Sequence, residues 1–162
     1  MNIAIGCDEA AYDLKTLIKQ HLVRQGHEVA DFGTHDHEPV PYPDIGIAVA
    51  EAIAQGRHER GILMCGTGIG MAISANKVDG IRAAQAHDTY SAERASRSNN
   101  AQIISLGSRV IGAELAKAIV DAFLRSTFDG GKSAAKVDAI SDYERSRHAS
   151  DESSSKSRKS DA

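Results

Sequence analysis

The residues best suited to chemistry in this chain are a cysteine and three alternating glycines, in Cys65-Gly66-Thr67-Gly68-Ile69-Gly70. The apolar run from Ile62 to Met64 suits a buried parallel strand, and Met71, Ala72, Ile73, Ala75 and Asn76 suit a helix after the loop. A strand, a glycine loop and a helix start together present backbone N–H groups to an anion or to a developing oxyanion. A thiol at the strand end faces the positive end of that helix, where thiolates are favoured. The competing reading is a small inert core cysteine and an ordinary turn. The loop spells G-x-G-x-G, follows the third strand-like run and lacks a Gly-Lys-Ser/Thr ending, so dinucleotide and nucleoside triphosphate binding fit poorly.

Other groups bear weighing beside the loop. Asp8 suits a general acid/base or a hydroxyl binder, and equally a helix N-cap. Thr67 suits a hydroxyl proton relay or a loop hydrogen bond, and Arg109 a phosphate ligand or a surface ion pair. Lys132 and Lys136 stand four apart, as a phosphate clamp or as a solvated helix face. His35-x-His37 lies in a polar loop with no third ligand evident, so no metal site is expected there.

The elements that must position these groups alternate. Strands are expected over residues 2–5, 28–32, 62–64, 81–86 and 101–106. Helices are expected over residues 10–25, 44–54, 71–76, 89–97, 112–124 and 133–145, with Asp44 as a cap. Five strand–helix repeats predict a Rossmann-like, doubly wound, five-stranded parallel sheet in three layers, with a C-terminal helix. Ligands in such sheets bind at the carboxyl ends of the strands. Asp8-Glu9, the Cys65 loop, His87-Asp88 and Arg109 then converge on one edge, which argues for a small-molecule site. A phospho-receiver domain shares this sheet, but Cys65 stands where its phosphate-accepting Asp belongs.

At 162 residues, with 41% hydrophobic and 25% charged residues, the chain suits one globular domain, over residues 1–145. Residues 146–162 are nearly all Ser, Lys, Arg, Asp and Glu and are expected to be a disordered polar tail. The net charge of -3, four Tyr, three Phe and no Trp leave no nucleic-acid footprint or stacking platform. Two Cys form no disulfide framework, no apolar run reaches membrane length and the N-terminal segment reads as a strand, so a cytoplasmic, reduced location is expected.

Taken together, Gly6-Cys7-Asp8-Glu9-Ala10 with Leu14-Lys15, Tyr42-Pro43, the Cys65–Gly70 loop with Ala75-Asn76-Lys77, Tyr90-Ser91-Ala92, Gly107-Ser108-Arg109-Val110-Ile111-Gly112 and Asp129-Gly130-Gly131 resemble ribose-5-phosphate isomerase B and its relatives, the galactose-6-phosphate isomerase subunits. The resemblance runs in order over about residues 1–145. It implies aldose–ketose isomerisation of a sugar phosphate through an enediol(ate), with no metal and no cofactor. It implies Cys65 as the base between C1 and C2, Thr67 as the hydroxyl proton relay, and loop N–H groups of Gly66 to Gly70 on the enediolate oxygen. Asp8 and Asn99 would hold sugar oxygens, with Glu9, Tyr42, Gly66, Gly68, Ile69, Gly70 and Ser98 lining the substrate. Arg109, Lys132 and Lys136 would hold phosphate. The family also implies a homodimer, or a dimer of dimers, with sites built from both chains.

Three departures from the family pattern bear on the substrate. Glu9 and Ser98 each stand where the family usually has His, the latter being the His that opens the sugar ring. Lys132-Ser133 and Lys136 replace Arg-His and Arg, which keeps charge and loses the bidentate grip. A tetrose 4-phosphate cannot close a five-membered ring, because its O4 carries the phosphate. Ser98 therefore favours erythrulose 4-phosphate and erythrose 4-phosphate. Ribose 5-phosphate is the conservative alternative, and a non-catalytic sugar-phosphate-binding protein is a third.

Overall fold

The computed structural model describes the backbone of residues 1–160 and the side chains of residues 1–147. Its sheet contains β1 (Asn2–Cys7), β2 (Glu28–Asp31), β3 (Arg60–Cys65), β4 (Ala83–Gln85) and β5 (Ile103–Gly107), all parallel, in the order β2-β1-β3-β5-β4. The helices of this part are α1 (Tyr12–Arg24), α2 (Tyr42–Ala54), α3 (Ile69–Ala75), α4 (Thr89–Arg97) and α5 (Ala113–Leu124). The expected Rossmann-like architecture is present. The chain winds from β1 to β2 on one side and crosses to β3 on the other, so the strand order reverses between β1 and β3. Ligands in open α/β sheets bind beyond the carboxyl ends at such a reversal.

Side-chain alternation along each strand divides the core in two. Ile3, Ile5 and Cys7, with Ile62, Met64, Ile104 and Leu106, pack with Ile18 and Leu22 of α1, Ala92 and Ala95 of α4, and Ile119, Val120 and Phe123 of α5. Ala4, Leu63, Cys65 and Ile103 face the opposite way, toward Val49, Ala50 and Ile53 of α2 and Met71 and Ala75 of α3. The same period of two that buries Leu63 thus turns Cys65 toward the α2–α3 layer. There the loop that follows it enters α3.

Several boundaries differ from the sequence reading, and those of α2 and β4 have a clear physical reason. Helix α2 starts at Tyr42, with Pro43 in its first turn, so Asp44 lies inside that turn and is not the cap. Proline is tolerated there because the first helical N–H groups have no partner in the helix. Strand β4 is shorter than expected. The Arg82 N–H is taken by the Gln102 side chain, so the ladder begins at Ala83.

Contacts divide the chain into two units, Met1–Phe128 and Asp129–Ala162. The second contains a 3-10 turn, Gly131–Ser133, followed by helix α6, Ala134–Ser160. The backbone of α6 continues past Arg145, where composition suggests an end. The side chains of residues 148–162 and the last two residues, on which part of the disordered-tail expectation falls, lie outside the described residues. Among the described residues no helix is long and apolar enough to cross a membrane.

Candidate active site

Cys65 ends β3 with 5% of its surface exposed. Its Sγ accepts a hydrogen bond from the Gly68 N–H at 3.0 Å. The chain therefore folds back over its own thiol within three residues. The three glycines of the loop have three separate reasons. Gly68 adopts φ +78, and a Cβ there would lie 2.9 Å from the carbonyl carbon of Leu106, backbone that cannot yield. A Cβ on Gly70 would lie 2.6 Å from Cε2 of Tyr42, so the tyrosine ring rests on bare helix backbone. Above Gly66 the Arg109 side chain passes close, its Nε 3.5 Å from where a Cβ would be. The alternation that resembled no nucleotide motif is a loop shaped by β5 below, Tyr42 on one flank and Arg109 on the other.

Polar contacts hold this loop to β4 and β5. The buried Ser105 hydroxyl donates to the Gly68 carbonyl at 2.7 Å, and Gln85 Nε2 donates to the Thr67 carbonyl at 2.8 Å. The Ser108 N–H donates to the Cys65 carbonyl and the Arg109 N–H to the Gly66 carbonyl. Thr67 is exposed, and its hydroxyl accepts the Ile69 N–H at 3.3 Å. The Gly68 and Ile69 N–H groups are thus engaged inside the loop, on Cys65 and Thr67, and do not point as a set toward a ligand. Sequence reading missed Ser105 and Gln85. Ser105 carried a usable signal, a hydroxyl inside the otherwise apolar run Ile103–Leu106.

Asp8 follows β1, and its N–H donates to the Met64 carbonyl at the end of the neighbouring strand. It occupies an N-cap position without making a capping side-chain bond, and its buried Oδ1 has no hydrogen-bond partner. Burial pushes its carboxyl above the usual range, and the adjacent Glu9 adds to this. The nearby N–H groups of Ala10 and Ala11 and the Arg109 charge oppose the shift without cancelling it. Buried polar atoms are normally paired, so an orphaned carboxylate oxygen beside a thiol loop is a place for a ligand hydroxyl. The Ser108 hydroxyl donates to the Ala10 carbonyl at 2.7 Å, joining the Asp8 segment to the Arg109 loop.

Glu9 Oε2 accepts the Val40 N–H at 3.2 Å, so this carboxylate is engaged with the segment that precedes Tyr42. His87 Nε2 accepts the Gly107 N–H at 2.9 Å. A backbone N–H can only donate, so the ring proton of that tautomer sits on Nδ1. Asp88 caps α4 by accepting the Ser91 N–H, and the Ser91 hydroxyl first, then that N–H, hold its carboxyl below the usual range. In the polar loop, His37 meets the edge of Tyr12 and approaches Asp13 at 3.5 Å.

Ser98 and Asn99 do not join the site within one chain. Helix α4 runs back along the sheet, and the turn after it lies where the strands begin. The Asn100 carbonyl accepts from Arg82, just before β4, and the Ala101 carbonyl accepts from Arg60, the first residue of β3. Five residue steps along β3 lead from Arg60 to Cys65, roughly 16 Å at the usual rise. Lys132 and Lys136 belong to the second unit, exposed on its 3-10 turn and the first turn of α6. Asp8, Cys65, the glycine loop, Tyr42 and Arg109 are the expected residues that one chain brings together.

A family model described as Ribose/Galactose Isomerase matches residues 3–140. The D-erythrulose-4-phosphate isomerase of Pectobacterium atrosepticum is 57% identical over 145 residues, 89% of this chain and 95% of that protein. The ribose-5-P isomerase B of Listeria innocua is 51% identical over 144 residues, 89% of this chain and 97% of that protein. Among solved structures, Clostridium thermocellum ribose-5-phosphate isomerase B superposes with a TM-score of 0.89 at 48% identity, covering 91% of this chain and 99% of that one. Matches of this length and identity, over the same residues that build the loop and its flanks, show that the chain belongs to the ribose/galactose isomerase family.

Proposed function

We propose that the chain is a metal-independent aldose–ketose isomerase of a sugar phosphate, and that its substrate is an open-chain tetrose, erythrulose 4-phosphate giving erythrose 4-phosphate. The observation that carries the reading is the Cys65 thiol, fixed by the Gly68 N–H in a loop that Arg109 passes at Gly66, with the unpartnered Asp8 oxygen at the end of the neighbouring strand. In the forward direction the Cys65 thiolate removes a proton from C1 of the ketose. The released electron pair forms the C1–C2 double bond, and the C2 carbonyl oxygen takes the negative charge. Loop N–H groups other than those of Gly68 and Ile69 stabilise that oxygen. The thiol then returns the proton to C2, while the Thr67 hydroxyl passes a proton from O1 to O2. Asp8 binds a substrate hydroxyl and Arg109 the phosphate, with Lys132 and Lys136 as further phosphate ligands.

The four-carbon substrate is supported by Ser98 in place of a ring-opening His, and by the 57% identity to a protein named D-erythrulose-4-phosphate isomerase. A second reading, ribose 5-phosphate, is favoured by His87, which follows β4 and whose Nε2 accepts the Gly107 N–H, so that its Nδ1 carries the ring proton that opening a sugar ring needs. Because Ser98 and Asn99 lie at the far edge, they reach Cys65 only from another copy. That supports a homodimer with shared sites; the two free cysteines, Cys7 and Cys65, support a reduced, cytoplasmic location. The test is an isomerase assay over four-, five- and six-carbon sugar phosphates in deuterated water. Turnover with solvent deuterium appearing at the receiving carbon is expected, fastest for the tetrulose. Turnover of none of them leaves a binding protein.

A further inference from the structure

Glu9, just past the carboxyl end of β1, turns its side chain onto a backbone donor. Its carboxylate holds the Val40 N–H at 3.2 Å. Val40 stands two residues before Tyr42, and the Tyr42 ring covers Gly70 of the thiol loop. The start of this segment is held at its other end. The Thr34 N–H donates to the Cys7 carbonyl, and the Thr34 carbonyl accepts from the buried Lys15 ammonium, which also binds Asp31. Between Thr34 and Tyr42 the segment carries Pro39 and Pro41, which have no N–H to donate, so the backbone there has few ways to anchor itself. The Val40 N–H lies between these prolines, and Glu9 takes it.

We propose that Glu9 is a positioning residue of the isomerase site: it clasps the segment at Val40 and so fixes Tyr42 over Gly70, in the loop that follows Cys65. The inference rests on the isomerase reading of that site. It also accounts for a carboxylate standing next to a site for an anionic substrate, because the charge is turned onto a backbone donor. Glu9 has a second effect, on its neighbour. Asp8 faces Glu9 on its own segment and Arg109 from the loop after β5, and Glu9 is the like charge of the two. Removing that charge while keeping an acceptor oxygen separates the two effects.

The experiment compares Glu9→Gln with Glu9→Ala in the full chain. Amide hydrogen exchange at Val40 is read first, since it needs no activity. Exchange is expected to quicken at least tenfold in Glu9→Ala and to stay protected in Glu9→Gln. In the isomerase assay, Glu9→Ala should raise KM at least tenfold more than Glu9→Gln does. The Asp8-dependent limb of the kcat/KM profile should move to lower pH in both variants, since both remove the like charge beside Asp8. Unchanged Val40 exchange in Glu9→Ala overturns the clasp, whatever the kinetics. Faster exchange with KM values equal in the two variants overturns the positioning role. Absence of turnover in the wild type, with the exchange pattern as expected, overturns the isomerase reading and leaves the clasp standing.

Discussion

The Gly68 main-chain N–H donates to Cys65 Sγ at 3.0 Å, so the thiol is positioned by the backbone of the loop that follows it. A donor aimed at sulfur counts for more once the sulfur is charged. Cys65→Ala should lower turnover by roughly 10²-fold or more, the usual scale for a positioned acid/base, with the melting temperature little changed. Iodoacetate should inactivate the wild type, and substrate should protect it. The second cysteine offers an internal control. Burial pushes the Cys7 thiol up to about 12, so mass spectrometry of the inactivated protein should find the label on Cys65 and not on Cys7. Near-normal turnover in Cys65→Ala would make this cysteine a core residue only.

Tyr42 and Gly70 form a pair whose coupling can be measured. The Tyr42 ring lies where a Gly70 Cβ would be, yet Tyr42 is 41% exposed and can swing outward. Gly70→Ala should therefore leave the fold intact and raise KM by displacing the ring. In a Tyr42→Ala background the same change should add little, because the clash is gone. Equal effects of Gly70→Ala in both backgrounds, by double-mutant cycle, would separate the two residues.

Much of this site was legible because its signals are local. Cys65 and the glycines stand together in sequence, but Ile62–Met64 is apolar throughout, so the side of the sheet that Cys65 faces comes from the structure. Ser105 could have been noticed as a polar residue in an apolar strand. The Glu9–Val40 bond could not, since it joins a strand end to a proline-rich loop with no periodicity to reveal it. The start of α2 was misplaced because Asp44 makes a plausible cap, while Pro43 fits equally well inside a first turn. Ser98 and Asn99 resemble family site residues in sequence, but α4 carries them to the opposite edge. A linear motif does not say which edge, or which copy, a residue serves.

Asp31 predicts an acid-sensitive stability. Burial alone would raise its carboxyl, but hydrogen bonds from Lys15, Lys19 and the Gly33 N–H outweigh it and hold the group below the usual carboxylate range. A depressed carboxyl contributes stability at pH above its unfolded value, and that contribution is lost as pH falls through the folded value. Lys15 is 2% exposed, so Asp31→Asn leaves a buried ammonium without its counter-charge. Losing one partner of a buried pair costs about 3–5 kcal/mol. Denaturant unfolding should show that loss near pH 7 and a shrinking difference from wild type as pH falls below 4. A difference independent of pH would mean that the carboxylate charge is not what stabilises this corner.

Position 98 tests the proposed substrate and the proposed assembly together. A serine hydroxyl does not exchange protons near neutral pH as an imidazole does, and ring opening by general acid/base catalysis is worth roughly 10²–10⁴-fold. The wild type should therefore show a kcat/KM for a tetrulose 4-phosphate at least about tenfold above that for ribose 5-phosphate. Ser98→His should raise the ribose rate selectively, since an open-chain tetrose gains nothing from an imidazole. Within one chain, position 98 lies near the Arg60 end of β3, far from Cys65, so the gain requires a second copy. A chain carrying both Cys65→Ala and Ser98→His, co-assembled with unaltered chains, tests this directly. Each hybrid then contains one site that joins an intact thiol to the new imidazole, and ribose turnover should exceed that of either parent. Hybrids no faster than their parents would show that position 98 serves no shared site. Ribose 5-phosphate turned over by the wild type faster than every tetrose phosphate would make His87 the ring-opening group, and His87→Ala should then abolish that rate while sparing open-chain substrates.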